Sequence, residues 1–148
     1  MQALNLPQYD IKIKREEGKK YIFDSIRKKY LLLTPEEWVR QNFVQFLVKD
    51  RGFPVGLIQI EKGLKLNELQ KRADILVNKG ISPMVLVECK SIDVAISQET
   101  FEQVARYNSH FKVPYLIVTN GLNHFCAKID FKNNSFEFLE DIPNYKNL

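Results

Sequence analysis

The sequence predicts a mixed α/β fold, a central mixed β-sheet flanked by two main helices with an N-terminal β-hairpin. Three observations predict it. The chain opens on an alternating segment folded about Glu17-Gly18, two helical stretches start at the capping residues Thr34 and Ser97, and apolar runs of strand length fall between and after them. The resulting order is β, α, βββ, α, βββ.

Tyr9, Ile11 and Ile13 alternate, Glu17-Gly18-Lys19 supplies a polar turn, and Tyr21-Ile22-Phe23 returns, so residues 9–23 read as a hairpin. Thr34-Pro35-Glu36-Glu37 follows. Thr34 can cap a helix, Pro35 suits its first turn, and Glu37 completes an S/T-x-x-E capping box, which predicts a helix from Pro35 to about Lys49. Its buried stripe is Val39, Phe43, Phe46 and Leu47, and Gly52-Phe53-Pro54 ends it. Strands are expected at Val55–Glu61, Lys71–Val77 and Met84–Lys90, then a helix capped by Ser97 and running to about Phe111, with Val113-Pro114 closing it. Pro114–Thr119, Phe125–Phe131 and Phe136–Leu139 complete the strands, separated by Asn120-Gly121 and Asn133-Asn134. The 148 residues read as one domain, with 1–33 as hairpin and lead-in, 34–139 as core and 144–148 as a loose tail.

Composition narrows the chemistry. With 45% hydrophobic and 27% charged residues, the chain can bury a core without disulfides or metal staples. No apolar run reaches the length that spans a bilayer, and MQALNLPQYD lacks a secretion-signal pattern, so a cytoplasmic protein without a membrane partner is expected. Cys89 and Cys126 are too few for a disulfide framework, and His110 and His124 stand apart without metal-ligand spacing. Catalysis would therefore rest on carboxylates and lysines. A net charge of +4 permits a polyanionic partner.

Those groups concentrate in Arg72-Ala73-Asp74-Ile75-Leu76-Val77 and Val87-Glu88-Cys89-Lys90, where charges interrupt apolar strands. An antiparallel pair with Asp74 opposite Glu88 sets Leu76 against Leu86 and Asn78 against Met84, and leaves Lys79–Pro83 as a five-residue loop. The two carboxylates then share a face, with β-carbons roughly 5 Å apart, and suit a divalent cation. Lys90 shares the face of Glu88, about 6.6 Å along the strand. The same residues also suit an ordinary strand-end salt-bridge cluster. On the first helix Glu37 has the capping task, whereas Glu36 lies on the stripe facing the sheet, and Arg40 can pair with it or reach a phosphate. Gln103 and Tyr107, four apart on the second helix, can touch a nucleic-acid backbone or form a polar flank.

In this order, Ile26-Arg27-Lys28-Lys29-Tyr30, Leu33-Thr34-Pro35-Glu36-Glu37-Trp38-Val39-Arg40-Gln41, Arg72-Ala73-Asp74-Ile75, Val87-Glu88-Cys89-Lys90 and Gln103-Val104-Ala105-Arg106-Tyr107-Asn108 form a joint pattern. That pattern resembles the PD-(D/E)XK nuclease superfamily, and more closely the N-terminal nuclease-like domain of type I restriction enzyme R subunits, over about Phe23 to Leu139. The resemblance implies a restriction-endonuclease-like core and a magnesium site, with Mn²⁺ able to substitute, on Glu36, Asp74, Glu88 and Lys90. It also places the family's Q-x-x-x-Y element on Gln103 and Tyr107. Ala73 stands where many superfamily members have proline, a position that shapes the turn and supplies no ligand.

The expected function is Mg²⁺-dependent hydrolysis of DNA phosphodiesters. Asp74 and Glu88 hold the metal with the Cys89 carbonyl, Lys90 positions or activates water, and Glu36 tunes the metal's water shell. Arg72, with Lys62, Lys65 and Lys71, would hold the phosphate backbone, and no nucleotide cofactor is expected. R subunits carry a helicase motor, for which 148 residues leave no room, so the alternative expectation is a nucleic-acid-binding or assembly module without useful turnover. DNA form, RNA, a second copy or a partner subunit, and Glu36 against Glu37 as the helix acid all stay open at this point.

Overall fold

The structure, a computed structural model, describes residues 1–66, 69–108 and 112–148, and of 62–66 and 69–72 the strand backbone alone. The described residues fold into two antiparallel-rich sheets and two α-helices. β1 (Ile13–Glu16), β2 (Lys19–Asp24) and β3 (Lys29–Leu32) form a three-stranded antiparallel sheet. The turn at Glu17-Gly18 falls where the sequence sets it, but the strands lie later than Tyr9, and β3 was not anticipated. Its segment, Lys29-Tyr30-Leu31-Leu32, is too short and too charged at its start to announce itself by alternation.

Helix α1 (Pro35–Arg51) starts as its capping chemistry dictates: Thr34 is extended and its hydroxyl accepts the Glu37 N–H at 3.0 Å, with Pro35 in the first turn. The expected stripe of Val39, Phe43, Phe46 and Leu47 is buried. Burying each such side chain contributes about 1.5–3 kcal/mol.

A six-stranded sheet follows in sequential order, with β4 (Ile58–Leu66), β5 (Leu69–Lys79), β6 (Ser82–Cys89), β7 (Tyr115–Thr119), β8 (His124–Asp130) and β9 (Ser135–Leu139). All neighbours are antiparallel except β6 and β7, the pair joined across helix α2 (Gln98–Asn108). α1 covers one face through Val39, Phe43 and Leu47 against Ile75, Val87 and Ile117, whereas α2 covers the other through Phe101 and Val104 against Leu86, Leu116 and Ala127. Ser97 caps α2, accepting the Thr100 N–H at 3.1 Å. The expected end of α2 at Phe111 lies outside the described residues, as does His110.

Two local expectations are corrected. Leu76 does face Leu86, but the register shifts between Val77 and Asn78, so Asn78 faces Pro83 instead of Met84. The connection shrinks from five residues to Gly80-Ile81, and Gly80 takes φ +63 at the first turn position, where a two-residue hairpin turn favours glycine. The last residues are not loose either. Residues Tyr145–Asn147 form a 3-10 turn, the Tyr145 ring meets Phe53 edge-on at 5.6 Å, and the Leu148 carbonyl accepts from Lys79 Nζ at 2.6 Å.

The N-terminal segment is tied down by similar contacts. Asn5 donates its N–H to the Gly121 carbonyl at 2.8 Å, and Leu4 lies where a Cβ on Gly121 would sit 2.7 Å from Leu4 Cδ2. Gly121 also has φ +88, a left-handed backbone costing other residues about 1–2 kcal/mol. We therefore expect Gly80→Ala to cost about 1 kcal/mol, because the space around it is open, and Gly121→Ala to cost more, because its methyl meets Leu4. Urea midpoints of the two variants check this order.

Candidate functional site

The ends of β5 and β6 diverge where the charged residues begin. The ladder between them closes at Ile75 opposite Val87, so Asp74 and Glu88 fall just beyond the paired region. Strict alternation also fails there. Ile75 and Val77 pack on the α1 face, yet Ala73 packs with Leu76 and Leu86 on the α2 face. The strand thus twists at Asp74, which turns its carboxylate toward α1 and accepts the Cys89 backbone N–H at 2.7 Å. A shared face with Glu88 in a regular ladder is therefore not how the two acids are arranged.

Cys89 is the point around which they gather. Its buried thiol is pushed well above its ordinary pKa, first by burial and then by the negative charge of Asp74, with Glu88 and Glu36 adding to it. Lys90 extends the same strand end, where its N–H donates to the Thr119 carbonyl at 2.8 Å and its ammonium lies 3.5 Å from Glu88 Oε1. Glu36 is exposed on the first turn of α1, yet partial desolvation and the nearby Asp74 carboxylate raise its pKa, while Arg40 and Lys90 pull it down. Glu36, Asp74, Glu88 and Lys90 accordingly converge on one rim.

The roles on α1 differ from expectation. Glu37, not Glu36, is the inward acid at 7% exposure, and it is held by Arg40 and by the Gln41 amide, which donates at 3.0 Å. Only half of the capping box forms, because the Glu37 carboxylate turns to Arg40 instead of back to Thr34. The helix buries a flank of Glu37, Arg40, Gln41 and Asn42 beside its apolar stripe, so the buried arc is wider than the stripe alone.

Arg40, 5% exposed, also reaches Glu61 Oε1 at 3.0 Å and Asp74 Oδ1 at 3.7 Å. Its own charge is strengthened by these acids against the penalty of burial. Glu61 faces Asp74 across β4 and β5, since Ile60 pairs Ile75 and Lys62 pairs Ala73 on either side. Like charges directly opposite repel. Glu61 takes φ +51, an uncommon conformation for a non-glycine residue, and the guanidinium of Arg40 stands against both acids.

A second cation extends the network. Arg27 Nε donates to Asp24 Oδ2 at 2.7 Å, and its other nitrogens lie 3.6 Å from Glu61 and 3.9 Å from Glu37. Asp24 is fully buried, and although burial opposes its ionisation, hydrogen bonds from the Arg27 backbone and side chain and from Gln41 hold its pKa below the ordinary value. Asp24 and Glu61 were not singled out by sequence, Arg27 entered only within Ile26-Arg27-Lys28-Lys29-Tyr30, and Glu37 only as the capping acid and the alternative to Glu36. Asp24-Ser25-Ile26-Arg27 does carry a signal, an aspartate followed by backbone donors in a turn, and its carboxylate indeed accepts the N–H groups of Ile26 and Arg27.

Gln103 is exposed and Tyr107 half-buried on α2, which packs on the face opposite α1. The side chains of Arg72, Lys62, Lys65 and Lys71 lie outside the described residues. Among the described residues, no group of three or more His, Cys, Asp or Glu is arranged as a ready metal cage, and no helix is long and apolar enough to cross a membrane.

The family described as type I restriction enzyme R protein N terminus matches residues 35–143. The chain belongs to that family. Comparison with curated proteins gives no match. Among solved structures, a fragment ascribed to the HsdR subunit of a type I restriction enzyme from Vibrio vulnificus YJ016 is similar in fold, with a TM-score of 0.54 and 21% identity over 76% of this chain. This R-protein N-terminal chain spans 24% of that structure's chain, about a quarter of its length.

Asp74 offers a stability test of the site. Its pKa is raised, mainly by burial and further by Glu61, against the Cys89 N–H bond, Arg40 and Lys90. An acid whose folded pKa is raised makes the folded state less stable at pH values above it, and this penalty fades as pH falls through the folded pKa toward the unfolded one. Asp74→Asn, which keeps an acceptor for the Cys89 N–H, is expected to raise the urea midpoint at pH 7, with the gain shrinking on acidification. A variant less stable than wild type at pH 7 contradicts this electrostatic description.

Proposed function

We propose that this R-protein N-terminal domain hydrolyses DNA phosphodiester bonds with a divalent cation, Mg²⁺ or Mn²⁺, at the rim formed by Glu36, Asp74, Glu88 and Lys90. The observation that carries the reading is the convergence of three carboxylates and one lysine where β5 and β6 part, beside a buried arginine. Raised pKa values at Asp74 and Glu36 mark excess negative charge held partly away from water. Such oxygen donors suit a hard cation, which would relieve their repulsion.

Asp74 and Glu88, with the Cys89 carbonyl, are the residues that would hold it. A bound cation polarises a phosphoryl oxygen and lowers the pKa of its water. The chain's own groups do the rest. Lys90, anchored through its N–H to Thr119, presents its ammonium to the scissile phosphate, where it stabilises negative charge as it grows and orients the attacking water. Glu36 at the rim accepts hydrogen bonds from waters around the site, and Arg40 fixes the direction of Asp74. The family match and the HsdR fold likeness support this reading and, with it, work on DNA beside partner subunits.

One observation favours a second reading, a binding or assembly module. Arg40 already stands against Asp74, and the described acids form no ready cage. Cleavage distinguishes the two. Wild type incubated with single-stranded and duplex DNA and with RNA is expected to cut DNA with Mg²⁺ or Mn²⁺ and not with chelator, and Lys90→Ala is expected to lose about 100-fold or more in rate. Equal turnover in Lys90→Ala, or none in wild type with every form, sets the nuclease reading aside.

A further inference from the structure

The N-terminal sheet has two unlike faces. On β2, Ile22 and Asp24 point inward and are fully buried, whereas Tyr21 and Phe23 alternate to the outer side and stay half-exposed. The register places Lys14 beside Tyr21 and Phe23 beside Tyr30 on that outer side. Lys12 joins them, because its carbonyl accepts the Phe23 N–H at 2.9 Å and continues the ladder. Lys19 falls on the same face by alternation with Tyr21.

These groups touch one another. The Phe23 and Tyr30 rings meet edge-on at 5.1 Å, Lys14 Nζ sits 4.4 Å from the Tyr30 ring centre, and Lys12 Nζ sits 5.9 Å from that of Phe23. Residues 12–32 carry eight Lys and Arg against three Asp and Glu, a net +5 where the whole chain has +4. The positive charge of the protein is therefore concentrated on this small sheet. The sheet also lies before residue 35, where the family match begins.

We propose that this outer face is a platform for single-stranded nucleic acid, with bases stacking on Tyr21 and Tyr30 and phosphates held by Lys12, Lys14 and Lys19. Charge selects a polyanion, and the half-exposed rings select one whose base faces are free. A duplex stacks its bases internally and offers the face only phosphates, leaving the rings unused. Lys14 Nζ lies over Tyr30 and pairs with Glu16 at 3.1 Å, an exposed ion pair for which a phosphate would compete. The inner face ties the platform to the candidate site, since Arg27 bonds to Asp24 and lies near Glu37 and Glu61. The inference rests on the nuclease reading for the class of ligand, and its test needs no turnover.

The experiment is fluorescence anisotropy of a labelled oligo-dT and of a labelled duplex, in chelator, with wild type, Tyr30→Ala, the double variant Lys12→Gln/Lys14→Gln, and Lys132→Gln. Wild type is expected to bind the single strand more tightly than the duplex, with an affinity falling as about the second power of salt concentration for three phosphate contacts. Tyr30→Ala and the lysine pair are each expected to weaken binding about tenfold or more, with urea midpoints little changed for the lysine pair, whose surface contacts contribute little to stability. Lys132→Gln, in the exposed turn between β8 and β9, is expected to bind as wild type does. Preference for duplex, or wild-type affinity in both platform variants, overturns the proposal. Loss of cleavage alone leaves these binding results intact and counts only against the nuclease reading.

Discussion

The buried guanidinium of Arg40 is the interaction on which the arrangement around the site depends. It answers Glu37 on its own helix, Glu61 on β4 and Asp74 on β5, three acids that would otherwise stand together against the hydrophobic core. Removing Arg40 would leave these acids without their shared counter-charge, and a buried charge stripped of its partner typically costs about 3–5 kcal/mol. Arg27 continues the chain of charges to Asp24, so the small sheet, α1 and the edge of the large sheet are joined by alternating charges as well as by apolar packing.

This arrangement explains why the strand geometry breaks where it does. A regular β4–β5–β6 ladder through Asp74 would press Glu61 and Asp74 together and point Asp74 along the α2 face. The observed twist instead gives the carboxylate two favourable contacts, with the Cys89 N–H and with Arg40. The cost appears as a left-handed Glu61 and as carboxylates whose pKa values are raised. Several local rules are broken together at this one strand end, a clustering that marks it as a candidate for function.

Much of the fold was legible because short-range chemistry and long-range packing agreed. Thr34 and Pro35 start α1, Ser97 starts α2, and the apolar strands pair Leu76 with Leu86 as their alternation requires. What was not legible depended on partners distant in sequence. The inward turn of Glu37 follows from Arg40 and Gln41 competing with the capping box, and nothing in the helical spacing ranks those contacts. Glu61 sits in a strand pattern whose left-handed residue only the opposing Asp74 and Arg40 explain. β3 escaped because its four residues find their strand only by pairing with β2.

The divalent-cation site proposed at the parting of β5 and β6 can be measured directly. Isothermal titration of Mn²⁺ into wild type, Asp74→Asn and Glu88→Gln, without nucleic acid, tests it most directly. Saturable binding to wild type is expected, weakened at least tenfold by both substitutions while each variant stays folded. Binding that both variants retain unchanged, or no binding to the wild-type protein, would contradict it.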